Sequence, residues 1–229
     1  EGFPETDASA AWPVWLRNKI SLQWEVHAPA IFEASAHAAP LWLRVNRAKA
    51  TRDDYVARLQ AVGITSVVDV NLPDALRIDM PVAVAALPGF AEGDVSVQDG
   101  SAQQVADALQ LPPASRVLDA CAAPGGKASH LLERDPSLRL LALDVDRRRL
   151  NRVKETLART GVEAELQVAD AANLDAWWDG SPFGVVLLDA PCSGLGVMSE
   201  KPDVKYRVTA QSGDELWELQ RQLLDAVCV

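Results

Sequence analysis

The chain has 229 residues, 48% of them hydrophobic, which is enough to bury a substantial core and too much for general disorder. No apolar run approaches the roughly 18 to 20 residues that span a bilayer, so a soluble protein with no membrane partner is expected. The net charge of −10 argues against binding polyanions through one broad cationic face.

Cys121, Cys192 and Cys228 are the only cysteines and show no paired spacing, which suits free thiols better than a disulfide frame or a metal site. With no basic leader and cleavage pattern, a cytoplasmic location is expected. The first residue is Glu1, and the helical apolar pattern still runs at Val229, so the chain is expected to be a fragment cut short at both ends.

From Pro13 to Ala39 apolar residues recur at helical spacing, predicting one or two helices after a polar start, and Pro40 ends them. Leu41 to Asn46 alternates like a strand. Arg52 to Val62 reads as a helix with Thr51 or Asp53 near its cap and Gly63 closing it. Strands follow near Ser66 to Val70 and Ala75 to Ile78, giving a small α/β unit over residues 40–95. Turns at 87–90 and 92–94 separate it from the rest. A short helix is predicted at Val105 to Leu111. Beyond Pro112 strands and helices alternate: strand 116–119, helix 126–133, strand 138–144, helix 147–160, strand 165–169, strand 183–189, and a helix from about Asp214 to Val227. That order predicts an α/β fold with a doubly wound parallel sheet over residues 96–229.

Ligands bind such sheets outside the carboxyl ends of the strands. The strand ending at Asp119 runs into Ala120, Cys121, Ala122, Ala123, Pro124, Gly125, Gly126 and Lys127. Gly125 and Gly126 would let the backbone approach a ligand, and the following helix N-terminus offers free N–H groups. A glycine turn there is equally compatible with a purely structural role. Asp144 ends the next strand and suits the hydroxyls of a ribose; capping the following helix is its other possible use, for which Asp146 is better placed. Asp170 could accept from an adenine amino group or serve as ordinary turn chemistry. Two basic clusters stand out, Arg44, Arg47, Lys49 and Arg52, then Arg147, Arg148, Arg149, Arg152 and Lys154. Either could touch a nucleic-acid strand or be a solvated face.

Asp189-Ala190-Pro191-Cys192-Ser193 follows the fourth strand. Together with the loop from Cys121 to Lys127 it resembles the cofactor loop and Pro-Cys motif of the RsmB/NSUN family of RNA m5C methyltransferases. Pro40 to Asn46 and Gln98 to Gln103 resemble further stretches of the bacterial members. The resemblance covers nearly the whole chain. It implies the Rossmann-like sheet of class I S-adenosylmethionine-dependent methyltransferases, here incomplete at its C-terminus. It also implies a small RRM-like, RNA-facing unit over 40–95 and a helical segment over 1–39. S-adenosyl-L-methionine is the implied cofactor, held by residues 121–127, Asp144, Asp170 and Asp189. The implied partner is RNA, small-subunit rRNA in particular.

In that family a cysteine in a later Thr-Cys-Ser motif adds to cytosine C6, making C5 able to attack the methyl sulfonium. The Pro-Cys cysteine, with its neighbouring aspartate, assists release of the product; Cys192 and Asp189 match those positions. An inert buried thiol is the other reading of Cys192. Cys121 would pack or touch the cofactor, and Lys127 would meet the cofactor carboxylate or balance the loop. No Thr-Cys-Ser occurs in the chain, so a cofactor- or RNA-binding fragment without catalysis is the competing reading. Ser199 and Glu200 stand where the family commonly has two arginines, and Gly184 where an Asp is usual. The absence of GxGxxG disfavours a nucleotide-linked oxidoreductase.

Overall fold

The computed structural model describes residues 7–109 and 111–228. By compactness they form two units. One is the chain up to Ala39 with Pro191–Arg221, and the other is Pro40–Ala190 with the residues from Gln222.

In the first unit the expected helical stretch is two helices, α1 (Val14–Trp24) and α2 (Ala28–Ala36). They are broken by a 3-10 turn at Glu25–His27, where Glu25 takes φ 42°. Trp12, Leu16, Ala28 and Phe32 make the core, with Trp12 edge-on to Phe32 at 5.1 Å between centroids and Leu195 and Met198 packed beside them. Burial of such large rings is the main stabilising term available to so small a cluster.

The second unit holds two sheets. The smaller contains β1 (Leu41–Val45), β2 (Val67–Val68), β3 (Ala75–Ile78) and β4 (Val95–Val97), in the antiparallel order β2-β3-β1-β4. Helix α3 (Arg52–Ala61) begins at Thr51, whose hydroxyl accepts the Asp54 N–H at 3.1 Å, and buries Tyr55 and Leu59 against Leu43, Val45, Leu76 and Ile78. Strand β4 was not expected: three residues are too few to display an alternating pattern beside a strong turn signal. Helix α4 (Gly100–Ala108) also starts earlier than predicted, because the Asp99 carboxylate caps it at the Ser101 N–H, 2.8 Å away.

The larger sheet contains β5 (Arg116–Asp119), β6 (Arg139–Asp144), β7 (Glu165–Val168) and β8 (Val185–Leu187), all parallel in the order β7-β6-β5-β8. Helices α5 (Gly126–Arg134) and α6 (Arg147–Thr160) cover one face through Leu131, Leu132, Leu150, Val153 and Leu157. Asp146 caps α6 and Gly161 ends it at φ 79°. Leu118, Leu141 and Leu143 pack on the other face with Trp177, Phe183 and two residues of α8 (Ala210–Val227), Leu223 and Val227. A four-residue helix, α7 (Val204–Arg207), precedes α8 in the chain.

Residues on both sides of the expected boundary near residue 95 lie in one compact unit, and Arg44 links its two sheets. Its side chain on β1 is fully buried. It pairs with Glu133 on α5 through two hydrogen bonds of 3.1 and 2.8 Å, and donates to the Gly126 carbonyl at 2.8 Å, Ser129 Oγ at 3.0 Å and Gln98 Oε1. A second seam joins the small sheet to the end of α6. Asn46 Nδ2 donates to the carbonyls of Gly93 and Thr160, and Arg159 donates to those of Phe90 and Val95.

Removing one partner of a buried ion pair strands the other charge. Arg44→Met is therefore expected to cost on the order of 3 to 5 kcal/mol in urea unfolding, with Arg44→Met/Glu133→Leu recovering most of it. A double variant as unstable as the single one would show that the remaining polar contacts of Arg44, rather than the stranded Glu133, carry the effect.

Candidate functional site

The loop after β5 is fixed by backbone bonds to the strands on either side. The Ala120 N–H donates to the Leu187 carbonyl of β8 and the Ala122 N–H to the Leu143 carbonyl of β6, both at 2.9 Å. The Gly125 N–H then closes a turn onto the Ala122 carbonyl at 2.7 Å and delivers the chain into α5. Gly125 takes φ 97°, and a Cβ there would meet Val153 at 3.1 Å. Glycine is thus required here by the turn and by close packing on α6. Gly126 is different: a Cβ would meet only the Gln98 amide at 3.8 Å.

Cys121, Ala122, Ala123, Pro124, Gly126 and Lys127 line a cavity of about 170 Å³. Asp119, Asp189 and Gln98 share it. Lys127 and Asp189, expected to address a ligand separately, hold each other at 2.5 Å. Asp144 and Asp170 end the neighbouring strands β6 and β7 and do not line this cavity. Asp144 is buried and accepts the Asp146 N–H at 3.0 Å through one oxygen. Its other oxygen has the Arg149 guanidinium 3.4 Å away, within ion-pair range but without hydrogen-bond geometry. Asp170 is exposed and receives the Ala172 N–H at 2.9 Å, the turn chemistry that was one of its two readings.

From sequence Asp119 is a carboxylate that ends its strand, with no role of its own assigned. It is 1% exposed, and neither carboxylate oxygen has a hydrogen-bond partner. Burial first, then the charge of Asp189, push its carboxyl from the ordinary 3.8 up to about 7; Lys127 and the nearby Cys121 N–H oppose this, and Asp144 adds to it. The signal was available: Asp119 ends a short apolar strand as Asp144 does. Cys121 is half-buried, and burial with the charges of Asp119 and Asp144 raises its thiol to about 11. It is a neutral thiol at physiological pH and a poor nucleophile.

Cys192 is exposed, which removes the inert buried reading. The boundary between the compact units falls inside its motif, between Ala190 and Pro191. In the first unit the Pro191 carbonyl accepts the Gln220 side-chain N–H of α8 at 2.7 Å. The first basic cluster is only partly a surface: Arg44 is buried, whereas Arg47 and Lys49 are exposed, and all four cations have partners within the fold. Arg44 is buried against Glu133, Arg47 pairs with Asp74, Arg52 serves the carbonyls of Asp69 and Leu72, and Lys49 serves that of Glu92. The second cluster is exposed along α6, with Arg149 turned to Asp144. Among the described residues no helix is long and apolar enough to cross a membrane, and no group of three or more His, Cys, Asp or Glu could hold a metal ion.

Residues 106–229 match the family model described as 16S rRNA methyltransferase RsmB/F, and residues 12–85 match the RsmF/B-like ferredoxin-like domain. Ribosomal RNA small subunit methyltransferase B of Xanthomonas campestris pv. campestris is 58% identical over 228 residues, 99% of this chain and 52% of that protein. The chain spans about half the length of the curated relatives it matches. A methyltransferase homolog protein from Pyrococcus horikoshii superposes with TM-score 0.79 at 27% identity, over 98% of this chain and 72% of that one. NSun6 from Pyrococcus horikoshii, crystallised with SFG, gives 0.84 at 20% identity, over 95% of this chain and 79% of that one, a likeness of fold.

The state of Asp119 has a measurable consequence without any ligand. The folded chain holds its proton more tightly than the unfolded chain, so this group lowers stability as pH rises from about 4 to about 7 and adds no further slope above. Asp119→Asn removes the penalty. The variant's stability advantage should grow across that window to at most roughly 4 kcal/mol and then level off. Denaturant unfolding of both proteins at about pH 4.5, 6 and 8 reads it. Parallel profiles would mean that Asp119 ionises normally in the fold.

Proposed function

Because the chain belongs to the RsmB/F family of rRNA methyltransferases, and its fold is that of the S-adenosylmethionine-dependent enzymes, we propose that the protein methylates C5 of a cytosine in small-subunit rRNA. The observation that carries this reading is the convergence of the loop from Cys121 to Lys127, the start of α5 and the acidic ends of β5, β6 and β8 on one end of the parallel sheet. The family's donor fits what is there. Asp119 and Asp144 each present a buried carboxylate oxygen without a hydrogen bond, and the first turn of α5 presents backbone N–H groups.

S-adenosylmethionine, when bound, supplies the methyl group as an electrophilic sulfonium. The residues of this chain then do the rest. The α5 N-terminus receives the carboxylate of the donor's amino-acid end, Asp144 accepts from the ribose hydroxyls, and Asp170 accepts from the adenine amino group. Lys127 holds Asp189 in place at the rim. Methylation of C5 would need a cysteine thiolate to add to C6, C5 to attack the donor's methyl carbon as the S–CH3 electron pair returns to sulfur, and a base to take the C5 proton as the thiolate is expelled and the C5–C6 double bond re-forms. Cys192, exposed in the Pro-Cys turn, assists the release half of this sequence, with Asp189 beside it in the chain. The adding cysteine belongs to a Thr-Cys-Ser motif that does not occur among these 229 residues. The names of the relatives support rRNA as the substrate. Within the cluster at 44–52 Arg44 is withdrawn from solvent by Glu133, and the exposed Arg47 and Lys49 are the cations left at its surface.

In calorimetry on the intact protein, Asp144→Ala should weaken donor binding by about one to two decades, the loss of a charge-assisted hydrogen bond worth roughly 1.5 to 3 kcal/mol. Undiminished binding would count against the ribose role. On a denaturing gel with substrate RNA, Cys192→Ala in the intact protein should accumulate a covalent RNA adduct. If that variant forms no adduct while replacement of the downstream Thr-Cys-Ser cysteine leaves one, the two roles are reversed.

A further inference from the structure

Four of the chain's seven tryptophans, Trp12, Trp15, Trp24 and Trp217, line one cavity within the first unit. Its volume, about 580 Å³, lies within the roughly 300 to 1,000 Å³ of pockets that hold a ligand. Trp12 belongs to the buried wall, edge-on to Phe32. Trp24 and Trp217 are the opposite case, 55% and 64% exposed, and leave most of a large ring in water. Exposed aromatic rings gathered at one concavity, rather than scattered over a surface, mark a place where something binds.

Two helix faces make the walls. Trp15, Lys19, Gln23 and Trp24 follow one stripe of α1, and Ala210, Gly213, Asp214 and Trp217 follow one stripe of α8. Glycine weakens a helix relative to alanine, and a Cβ on Gly213 would meet nothing within 4 Å, so packing does not require it. Its missing side chain leaves the space between the walls open. Lys19 and Asp214 are the charged groups of the lining, and among the described residues neither forms an ion pair. Their charges offset, so the cavity suits a flat, uncharged body with polar edges, to which Gln23 and Thr209 offer hydrogen bonds.

We propose that this cavity receives an unpaired base of the RNA strand that carries the target cytosine, stacked on Trp24 and Trp217. This rests on the RNA reading given above and adds a binding surface to it. Two observations favour a nucleic-acid strand over an apolar peptide. Ser193 lines the cavity and directly follows Cys192, so a strand lying across the Pro-Cys turn continues into it within the same unit. A chain of net charge −10 also gains little from phosphates, whereas stacking on aromatic rings supplies affinity without charge. Lys19, exposed on α1, is placed for one phosphate of the stacked nucleotide.

Fluorescence anisotropy on the intact protein tests this with end-labelled single-stranded RNAs of about eight nucleotides, oligouridylate and oligoadenylate, beside a blunt RNA duplex. Trp217→Ala and Gly213→Leu, the second filling the open space, should each weaken single-strand binding on the order of tenfold, with the salt dependence unchanged and duplex binding unaffected. Trp217→Phe should keep most of the affinity. Leu22→Ala, on α1 but outside the cavity lining, should keep all of it. Melting curves follow the folding of each variant, and tryptophan emission of the wild type should fall as the single strand binds.

Undiminished single-strand binding in either Trp217→Ala or Gly213→Leu, or no binding by the wild type, would overturn the proposal. Equal losses for single strand and duplex would place the contact on backbone phosphates and overturn it as well. So would a Trp217 emission already shielded from acrylamide before RNA is added, which would mean that a protein surface occupies the cavity. Methyl transfer to small-subunit rRNA is measured separately. Transfer by the wild type with normal binding in the variants sinks this site alone, whereas variant-sensitive binding without transfer by the wild type sinks the methylation reading alone.

Discussion

A guanidinium with no water around it is the constraint on which the second unit depends. Arg44 leaves solvent entirely, and the cost of that is offset only because five hydrogen bonds from its nitrogens find acceptors on Glu133, Gln98, Ser129 and the Gly126 backbone. Burial pulls Glu133 toward its neutral form, and Arg44 pulls it back. Each group is tolerable because the other is there. The acceptors lie on two stretches of chain and the donor on a third, so the bond set can be completed only when β1, the β4–α4 connection and α5 are all in place. One of those acceptors is the carbonyl of Gly126, at the point where the cofactor loop becomes a helix. The small sheet therefore supports the geometry of the loop as well as its own fold.

Much of this was legible from the pattern of residues, for reasons that separate local from distant physics. Thr51, Asp146 and Gly161 act within a few residues of themselves, so the limits of α3 and α6 could be expected from sequence. The parallel strands are short apolar runs, mostly set between amphipathic helices, and their parallel direction follows from that alternation. Strand β4 escaped notice because its identity comes from pairing with β1 some fifty residues away, at Leu43↔Val97 and Val45↔Val95. The cluster from Arg44 to Arg52 looked like a surface because charge is visible in a sequence and its partners are not. Asp74, Glu133 and Glu92 are remote in the chain.

The same distinction runs through the site. The loop, Asp144 and Asp170 were found by their position after strands, a local signal. What Asp119 contributes depends on its being enclosed, and enclosure is a property of the whole unit. Gly125 shows the converse: the residue was noticed correctly, but its missing side chain makes room for Val153 of α6. A glycine in a ligand-binding loop can be required by the scaffold behind the loop. The site as a whole is acidic, with Asp119, Asp144 and Asp189 against Lys127 and Arg149, so it favours a cationic ligand and does little to attract a phosphate chain. Of the exposed arginines of α6, Arg149 is the one turned to this cradle through Asp144.

The approach of Gly93 to the end of α6 bears on how such a molecule can change over time. A side chain at Gly93 would place its Cβ 1.9 Å from the Arg159 carbonyl oxygen, and the backbone there already has φ 77°. Recombination between homologous genes tends to be tolerated at seams where few interactions cross. The gap in sequence pattern near residue 95 invites such a crossover, yet the contacts of Gly93, Asn46 and Arg44 all run across it. A small sheet and a parallel sheet brought together from two sources would close this seam only if Gly93, Asn46 and the Arg44–Glu133 pair were all retained, so the two sheets constrain each other's substitutions at these positions.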